Sequence, residues 1–324
     1  MKAILCTQFG GPELLQYGDA ETPKLGAHDV RILVKAAGVN FPDTLTIQGK
    51  YQFKPEPPFV PGAEVAGVVQ EVGAKVTHLR AGDSVASVSV AGGFAEQTVV
   101  DAGAVVPIPA GVDFSLAAAF PMAYGTTMHA LKQRGALKSG ETLLVLGAAG
   151  GVGLAAVQVG KAMGARVIAA ASSDEKLAVC KQHGADELIN YADGDLKSKV
   201  KALTKGQGAD VIYDPVGGEL FGQALSSVAW NGRILVIGFA AGQILQIPAN
   251  KPLLKGCAVV GVFWGAFVAR EPRVNAENFE QLFQWFGEGK IKPHVSKSYP
   301  LAEAGQALQD MLDRKATGKL VLIP

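Results

Sequence analysis

The sequence predicts an α/β fold in which a β-rich part precedes a doubly wound parallel sheet. In residues 1–121, short β-branched runs are separated by Gly, Pro and Asp, which is typical of sheets built from short strands. From residue 122 onward, strand-like and helix-like segments alternate, which indicates a parallel sheet with helices on both faces. A length of 324 residues is sufficient for two such domains.

The strands of both parts are predicted from short runs rich in β-branched residues. In the first part, these runs cover residues 30–34, 65–69, 84–88 and 95–100. In the second part, the same signal predicts strands at residues 142–147, 166–171, 187–190, 211–214, 233–238 and 256–265. The segments between them have helical length and spacing, as in residues 174–183 and 220–229.

The last residues, 266–324, are expected to return to the first domain. They contain two helix-like segments, 275–288 and 301–314, and end in the apolar run 319–323. A terminal strand needs a sheet to join, since its backbone groups are otherwise unpaired. The predicted organisation is therefore a domain over 1–121, a parallel-sheet domain over 122–265, and a returning segment over 266–324.

Composition and charge exclude several classes of protein. The chain is 48% hydrophobic and 18% charged, which excludes a disordered chain, and its 40 glycines have no three-residue period, which excludes collagen. Thirty Lys and Arg against 29 Asp and Glu give a net charge of +1, so we expect no nucleic acid or membrane partner. Cys6, Cys180 and Cys257 are far apart, which predicts no disulfide framework and favours a reducing, cytoplasmic compartment.

A glycine-rich turn follows the predicted strand at 142–146 and opens an uncharged helix near Val152. Small residues at such a turn let the backbone approach a pyrophosphate, which the N–H groups and the dipole of the helix N-terminus stabilise. The glycines recur every third residue, which is a variant of the dinucleotide-binding fingerprint. The residues expected to bind the dinucleotide here are Gly147, Ala149, Gly150, Gly151, Val152 and Gly153.

The end of the next strand predicts which dinucleotide is bound. An NAD site typically carries Asp or Glu there to accept hydrogen bonds from the ribose. Ser172 and Ser173 stand in that place, and Lys176 lies one helical turn further on, where it can meet a 2′-phosphate. This pattern predicts NADPH, with Tyr191 either beside the phosphate or adenine or packed in the core. The alternative is a solvated Lys176 with Asp174 as the ribose acceptor, which favours NAD.

Seven motifs spread over the chain resemble those of one family. They are 37–43 (AGVNFPD), 60–67 (VPGAEVAG), 82–85 (GDSV), 118–121 (AAFP), 147–153 (GAAGGVG), 214–218 (DPVGG) and 317–319 (TGK). Their order is similar to that of the medium-chain dehydrogenase/reductases, specifically the zinc-free quinone oxidoreductases related to zeta-crystallin. The resemblance implies a GroES-like catalytic domain completed by the C-terminal segment, a Rossmann domain that binds NADPH, an active site between them, and a homodimer joined through the edge strand 256–262.

The resemblance also implies that the chain uses no zinc. Zinc-dependent relatives place a cysteine at the position of Asn40, a histidine at that of Ala63, and a cysteine or histidine near Met122. Amide, methyl and thioether groups are poor substitutes for thiolate and imidazole ligands. We therefore expect no metal, and Glu64 is expected to be a structural partner.

Two residues are expected to act on the substrate because of their places in the family pattern. Asn40 stands at the active-site position and is expected to donate to a developing oxyanion; as an alternative, it is a turn residue before Pro42. Tyr51 matches an active-site tyrosine that donates its hydroxyl or stacks on a flat ring, and the alternative is a packed aromatic. The family's other common tyrosine position is Leu45 here, which leaves the substrate open.

Further residues are expected to line the cofactor by the same resemblance. Thr126 matches a position near the nicotinamide carboxamide, although its hydroxyl could equally bond to its own helix. Segments after two neighbouring strands are expected to border the cofactor as well, with buried packing as the alternative for Trp264. The residues expected at the cofactor are thus Asn40, Thr126, Gly238, Phe239, Ala240, Phe263, Trp264, Gly265 and Lys319.

These observations together predict an enzyme that transfers a hydride from NADPH to a quinone, with the proton coming from water. One alternative is an NADPH-dependent reductase of the C=C bond of enals, enones or enoyl thioesters, which uses the same hydride step. An alternative of another class is a cofactor-binding protein, either crystallin-like or RNA-binding, although a net charge of +1 argues against RNA.

Overall fold

The computed structural model describes residues 1–109, 111–244 and 246–324, and these form two compact units. The first unit contains Met1–Met122 and Pro293–Pro324, and the second contains Ala123–Lys292. The chain thus leaves the first unit once and returns to it for its last residues.

The strands and helices follow one another along the chain with short connections. The strands are β1 (Lys2–Leu5), β2 (Gln16–Asp19), β3 (Asp29–Val39), β4 (Glu64–Val72), β5 (Ser84–Val88), β6 (Gln97–Asp101), β7 (Val105–Pro107), β8 (Thr142–Leu146), β9 (Arg166–Ala171), β10 (Glu187–Asn190), β11 (Ala209–Asp214), β12 (Val228–Val236), β13 (Ala258–Gly261), β14 (Val295–Pro300) and β15 (Lys319–Ile323). The helices are α1 (Phe41–Thr46), α2 (Phe114–Ala117), α3 (Pro121–Met128), α4 (Gly151–Ala162), α5 (Asp174–Gln182), α6 (Leu196–Leu203), α7 (Gly218–Ser227), α8 (Asn250–Lys255), α9 (Trp264–Arg270), α10 (Pro272–Gly287) and α11 (Ala304–Leu312). A π-helical segment, His129–Arg134, continues α3.

The first unit is built on a sheet with the order β14-β15-β3-β4-β5-β7, and β6 pairs with β3 as well. Neighbouring strands are antiparallel except for the parallel pair of β14 and β15. The C-terminal strand β15 joins β3 directly, with Leu320 opposite Val39. Leu320 and Leu322 belong to the same buried core as Ile32 and Phe94, so the last residues complete this unit.

The second unit is a parallel sheet with the order β10-β9-β8-β11-β12-β13. Its central strands are continuously buried, as in Leu143–Leu146, because helices cover both faces. The prediction of a doubly wound α/β fold is therefore confirmed. The strand order reverses between β8 and β11, and ligands of such sheets bind beyond the carboxyl ends of the strands at that point.

The structure differs from the sequence prediction in the region after β12. The predicted strand at 256–265 is the short β13 followed by α9, because an uncharged apolar run does not by itself distinguish strand from helix. Residues 266–292, assigned to the returning segment, lie in the second unit instead. There, Asn278 of α10 is 1% exposed, and its amide and that of Gln133 donate to each other at 3.1 and 3.0 Å, which ties α10 to this unit.

The uncharged residues 142–160 form β8, the glycine turn and most of α4. Within the ranges that the structure describes, no helix combines the length and the apolar character needed to cross a membrane.

Candidate functional site

The glycine turn after β8 places the start of α4 at the carboxyl edge of the parallel sheet. Gly147 has φ +56°, a left-handed conformation that glycine adopts without strain. A Cβ on Gly153 would lie 2.3 Å from the Gly147 carbonyl oxygen, so only glycine lets the helix pack this closely on the turn. Gly150 caps α4 and has no side chain to occupy the first N–H groups of the helix. These backbone N–H groups suit a pyrophosphate, which needs donors and a positive dipole end.

After the end of β9, Ser172 and Ser173 stand where a carboxylate is typical of NAD sites, and Lys176 follows in the first turn of α5. Ser173 caps α5, and its Oγ accepts a hydrogen bond from the Lys176 backbone N–H at 3.4 Å. The Lys176 ammonium donates to the Ser172 Oγ at 3.3 Å. Asp174 is exposed and accepts a hydrogen bond from the Asn190 side chain at 2.9 Å. The group beside Ser172 is thus a cation, and this arrangement fits an anionic 2′-phosphate better than a ribose hydroxyl.

Two further segments border the same edge of the sheet. Residues 238–240 follow β12, where the Ala240 N–H donates to the Pro215 carbonyl at 3.1 Å, and Phe239 stays 38% exposed. Asp214, which the sequence analysis did not single out, is 1% exposed at the end of β11 and accepts the N–H groups of Val216 and Gly217 at 2.8 and 2.9 Å. Burial raises the pKa of the Asp214 carboxyl. Its hydrogen bonds to the two N–H groups fix the turn at residues 215–217, which faces Gly147.

The aromatic residues after β13 do not lie on a strand. Trp264 begins α9, and its indole N–H donates to the Asn275 Oδ1 at 3.1 Å. The Trp264 ring packs directly on Gly125 of α3, where an added Cβ would lie only 2.6 Å from the nearest ring atom. Trp264 therefore packs α9 against α3. Phe263 precedes the helix and is 47% exposed. Tyr191, half-buried, packs against the core of this unit.

In the first unit, three side chains from distant parts of the chain meet in one buried cluster. The Lys319 ammonium donates to the Asn40 Oδ1 at 2.6 Å and to the Glu64 Oε2 at 2.7 Å. The Asn40 amide donates to the Glu64 Oε2 at 3.0 Å and to the Gly38 carbonyl at 3.2 Å. An ammonium has only donors, so the amide oxygen must face it, and this orientation is fixed by the chemistry. We call Asn40, Asp43, Glu64 and Lys319 the buried cluster.

The remaining member of the buried cluster is Asp43. Its Oδ2 accepts the Asn40 backbone N–H at 2.8 Å and caps α1. Burial raises the pKa of Asp43 to about 7, although the Asn40 N–H and the Lys319 charge act in the opposite direction. Tyr51 is half-buried with its ring 6.3 Å from that of Phe53, and burial, followed by the Asp43 charge, raises the pKa of its hydroxyl. Tyr51 is therefore a hydrogen-bond donor at neutral pH.

Two members of the buried cluster, Asn40 and Lys319, make contacts other than those that the sequence analysis expected of them. Lys319, expected at the cofactor, is bound by Asn40 and Glu64, 279 and 255 residues away along the chain. No local signal reveals such a pair. Both N–H bonds of the Asn40 amide point to protein oxygens, whereas the sequence analysis expected the amide to donate to a developing oxyanion.

The sequence analysis compared Asn40, Ala63 and the surroundings of Met122 with the zinc ligands expected in zinc-dependent relatives. The cation beside Asn40 and Glu64 is the lysine ammonium, and the Glu64 Oε1 accepts the Met122 N–H at 2.7 Å. In the described part of the chain, no group of three or more His, Cys, Asp or Glu residues has a metal-binding arrangement.

Comparison with known proteins adds independent findings. Residues 26–110 match the family described as "Alcohol dehydrogenase GroES-like domain" and residues 151–287 that described as "Zinc-binding dehydrogenase".

Similarity to individual proteins extends over the whole chain. The "Quinone oxidoreductase-like protein 2 homolog" of Nematostella vectensis is 44% identical over 99% of this chain and 88% of its own length. The "Quinone oxidoreductase" of Pseudomonas aeruginosa is 36% identical over 100% of this chain and 99% of its own. The crystal structure of Escherichia coli quinone oxidoreductase complexed with NADPH is 30% identical, with a TM-score of 0.93 and 100% of both chains covered.

Proposed function

This chain belongs to the zinc-free quinone oxidoreductase family of the medium-chain dehydrogenase/reductases, and from this premise we propose that it transfers a hydride from NADPH to a quinone. The choice of NADPH over NADH rests on one observation, the Lys176 ammonium beside Ser172, just after the end of β9. The NADPH complex of the similar Escherichia coli enzyme supports the same choice.

The residues present fit the two phosphate groups of such a coenzyme. The glycine turn would hold the pyrophosphate through the N–H groups at the start of α4, with Gly147, Ala149, Gly150, Gly151, Val152 and Gly153. The 2′-phosphate would be held by the residues that follow β9, namely Ser172, Ser173 and Lys176. Tyr191, after β10, would flank the phosphate or the adenine with the face of its ring that is not packed in the core. A charged phosphate gains more from Lys176 than a neutral ribose hydroxyl does.

The other half of the coenzyme would be bordered by segments after β12 and β13 and by α3. We assign this role to Thr126, Gly238, Phe239, Ala240, Phe263 and Gly265. Trp264 is left out, because its ring and its N–H are already used in packing α9.

NADPH supplies the hydride from the nicotinamide C4. A quinone that accepts it develops negative charge on oxygen, which nearby donors stabilise. We assign Tyr51 and Asn40 to this task. The Tyr51 hydroxyl is protonated at neutral pH, as tyrosines ordinarily are, and burial raises its pKa further from neutrality. The Asn40 N–H that points to the Gly38 carbonyl has the longest hydrogen bond of the buried cluster, 3.2 Å, so it is the bond most easily exchanged for a substrate oxygen. A proton from water then completes the hydroquinone.

The test is NADPH oxidation followed by absorbance with a panel of quinones and enones. We expect turnover with quinones, a preference for NADPH over NADH, and loss of activity in Asn40→Ala and Tyr51→Phe. Turnover with enones but not with quinones would contradict the proposed quinone reduction and favour the alternative, the reduction of a C=C bond. Tight NADPH binding without turnover of any acceptor would contradict an enzymatic role.

We also propose a homodimer in a reducing, cytoplasmic compartment. β13 is one of the two edge strands of the parallel sheet, and Trp230, Leu253 and Leu254 near it are 73%, 77% and 74% exposed. A second copy of this chain would pair with the edge and cover these side chains. Light scattering should give a dimer mass that falls towards the monomer in Leu254→Asp and stays unchanged in Val90→Asp, a control on the other unit. The free cysteines support the compartment, which cell fractionation would test.

A further inference from the structure

The Lys319 ammonium makes the shortest hydrogen bond to the Asn40 side chain, 2.6 Å, and it has no role in the proposed reaction as described above. Its side chain is only 6% exposed, and its two hydrogen bonds reach Asn40 and Glu64. A lysine costs free energy to bury, and one that is retained at the side of a substrate-facing amide calls for a chemical reason.

The contact acts on the amide oxygen, opposite to the N–H groups. A charge-assisted hydrogen bond to the Oδ1 at 2.6 Å draws electron density from the amide nitrogen and makes its N–H bonds stronger donors. The same ammonium determines which end of the amide faces Gly38, because a rotated amide would place NH₂ against NH₃⁺. Lys319 therefore controls both the direction and the strength of the Asn40 donor.

Glu64 holds the ammonium in place from the other side. Its Oε1 is fixed by the Met122 N–H at 2.7 Å, and its Oε2 accepts from both Lys319 and Asn40. The three side chains thus form a closed triangle of hydrogen bonds in which none can turn without breaking two contacts. A triangle of this kind preorganises a donor, which is how protein sites stabilise developing charge.

We propose that Lys319 is a positioning residue, which orients and polarises the Asn40 amide for the reduction step. This inference rests on the proposed function for the reaction, but the polarisation of Asn40 is a property of the free protein. It assigns to Lys319 a role through Asn40, in place of the contact with the cofactor that its motif implies.

The first experiment measures the amide without any coenzyme. Protein labelled with ¹⁵N-asparagine gives side-chain NH₂ signals, and the signals absent from Asn40→Ala belong to Asn40. We compare Glu64→Gln with the double variant Glu64→Gln/Lys319→Met. The two variants differ only at residue 319, and in Glu64→Gln the ammonium keeps its hydrogen bond to the Asn40 Oδ1 but loses its carboxylate partner, so circular dichroism first checks that both variants are folded. We expect the Asn40 NH₂ protons to shift upfield in the double variant relative to Glu64→Gln.

The second experiment measures turnover. Partners that orient metal ligands contribute about 10- to 100-fold in activity, and we expect kcat to fall by a similar factor between Glu64→Gln and the double variant. KM for the quinone and the dissociation constant for NADPH should change by less than about twofold, because the coenzyme is not contacted. Lys35→Met is the control, since Lys35 is an exposed lysine on β3, the strand that precedes Asn40.

The outcomes separate this inference from the proposed function. Unchanged Asn40 signals in the double variant would overturn the inference, whatever the activity. A weaker NADPH affinity with unchanged kcat would also overturn it and return Lys319 to the cofactor. A wild-type protein without quinone turnover would refute the proposed function alone, and the NMR comparison would still decide the effect of Lys319 on Asn40.

Discussion

The two units handle polar groups at their candidate sites in opposite ways. The first unit buries charged side chains and saturates them with hydrogen bonds to one another, as in the buried cluster around Lys319. The second unit uses backbone N–H groups at a helix start and half-exposed side chains such as Lys176. The first arrangement is tied to folding, whereas in the second a half-exposed side chain such as Lys176 can be altered at the cost of ligand binding alone. Substitutions at the candidate site of the first unit should therefore lower mainly the free energy of unfolding, and those in the second unit should weaken mainly the binding of the coenzyme.

The largest expected effect is the loss of folding stability in Glu64→Ala, in the first unit. The change leaves the Lys319 ammonium buried without its carboxylate and removes the acceptor of the Met122 N–H. Breaking a buried ion pair on one side typically destabilises a protein by about 3–5 kcal/mol. Denaturant unfolding followed by circular dichroism should show this loss. Glu71→Ala, at a carboxylate that is 62% exposed and paired with Arg31, is the control and should change stability by less than about 1 kcal/mol. Equal losses would contradict the contrast.

The second test uses pH and the carboxyl of Asp43. Its pKa is about 7 in the folded protein against 3.8 ordinarily, so between these values the native state keeps a proton that the unfolded chain has released. Stability should therefore fall as pH rises from about 4 to about 7, by up to about 4 kcal/mol for a fully buried group. Asp43→Asn keeps an acceptor for the Asn40 N–H but does not titrate. Unfolding measured across this pH range should show a flatter profile in the variant, and parallel profiles would refute the assignment.

The same contrast explains what the sequence could predict. The strand, turn and helix over residues 142–162 were predictable, because glycine spacing and an uncharged helix are local signals. The cation at the end of β9 was predictable too, because Ser172 and Lys176 are one helical turn apart. Both features belong to the second unit, where the candidate site follows the order of the chain.

The buried cluster of the first unit was not predictable in this way. Asn40 and Glu64 lie within local sequence motifs, but their partner Lys319 lies beside them only because β15 pairs with β3. The pairing of distant strands is a property of the whole sheet, and no window of sequence contains it. The helix at Trp264–Arg270 was missed for another reason, since its apolar run has the composition of a strand and its role depends on contacts with Gly125 and Asn275.

The third test compares two glycines within the second unit. A methyl group on Gly153 would lie 2.3 Å from the Gly147 oxygen, so Gly153→Ala must push α4 away from the turn. Overpacking of this kind costs about 1–3 kcal/mol, and the displaced N–H groups should weaken NADPH binding as well. Gly222 of α7 has open space around its Cβ position, so Gly222→Ala should be neutral or stabilising by up to about 1 kcal/mol. Thermal unfolding and NADPH titration of both variants would measure these effects. If Gly153→Ala and Gly222→Ala had equal stability and equal NADPH affinity, the turn would have no special role.

The smallest effect is expected from Lys176→Ala, because this side chain is only half-buried and water screens its charge. We expect the dissociation constant for NADPH to rise about tenfold, which corresponds to about 1.4 kcal/mol, while that for NADH and the stability of the fold stay unchanged. Lys181→Ala, an exposed lysine on the same helix, is the control for the general loss of a positive charge. Added salt should narrow the difference between wild type and Lys176→Ala, since it screens an exposed charge more than a buried one. An equal loss of NADPH and NADH affinity would mean that Lys176 contacts a part common to both coenzymes, and Asp174 would then remain the candidate for the ribose.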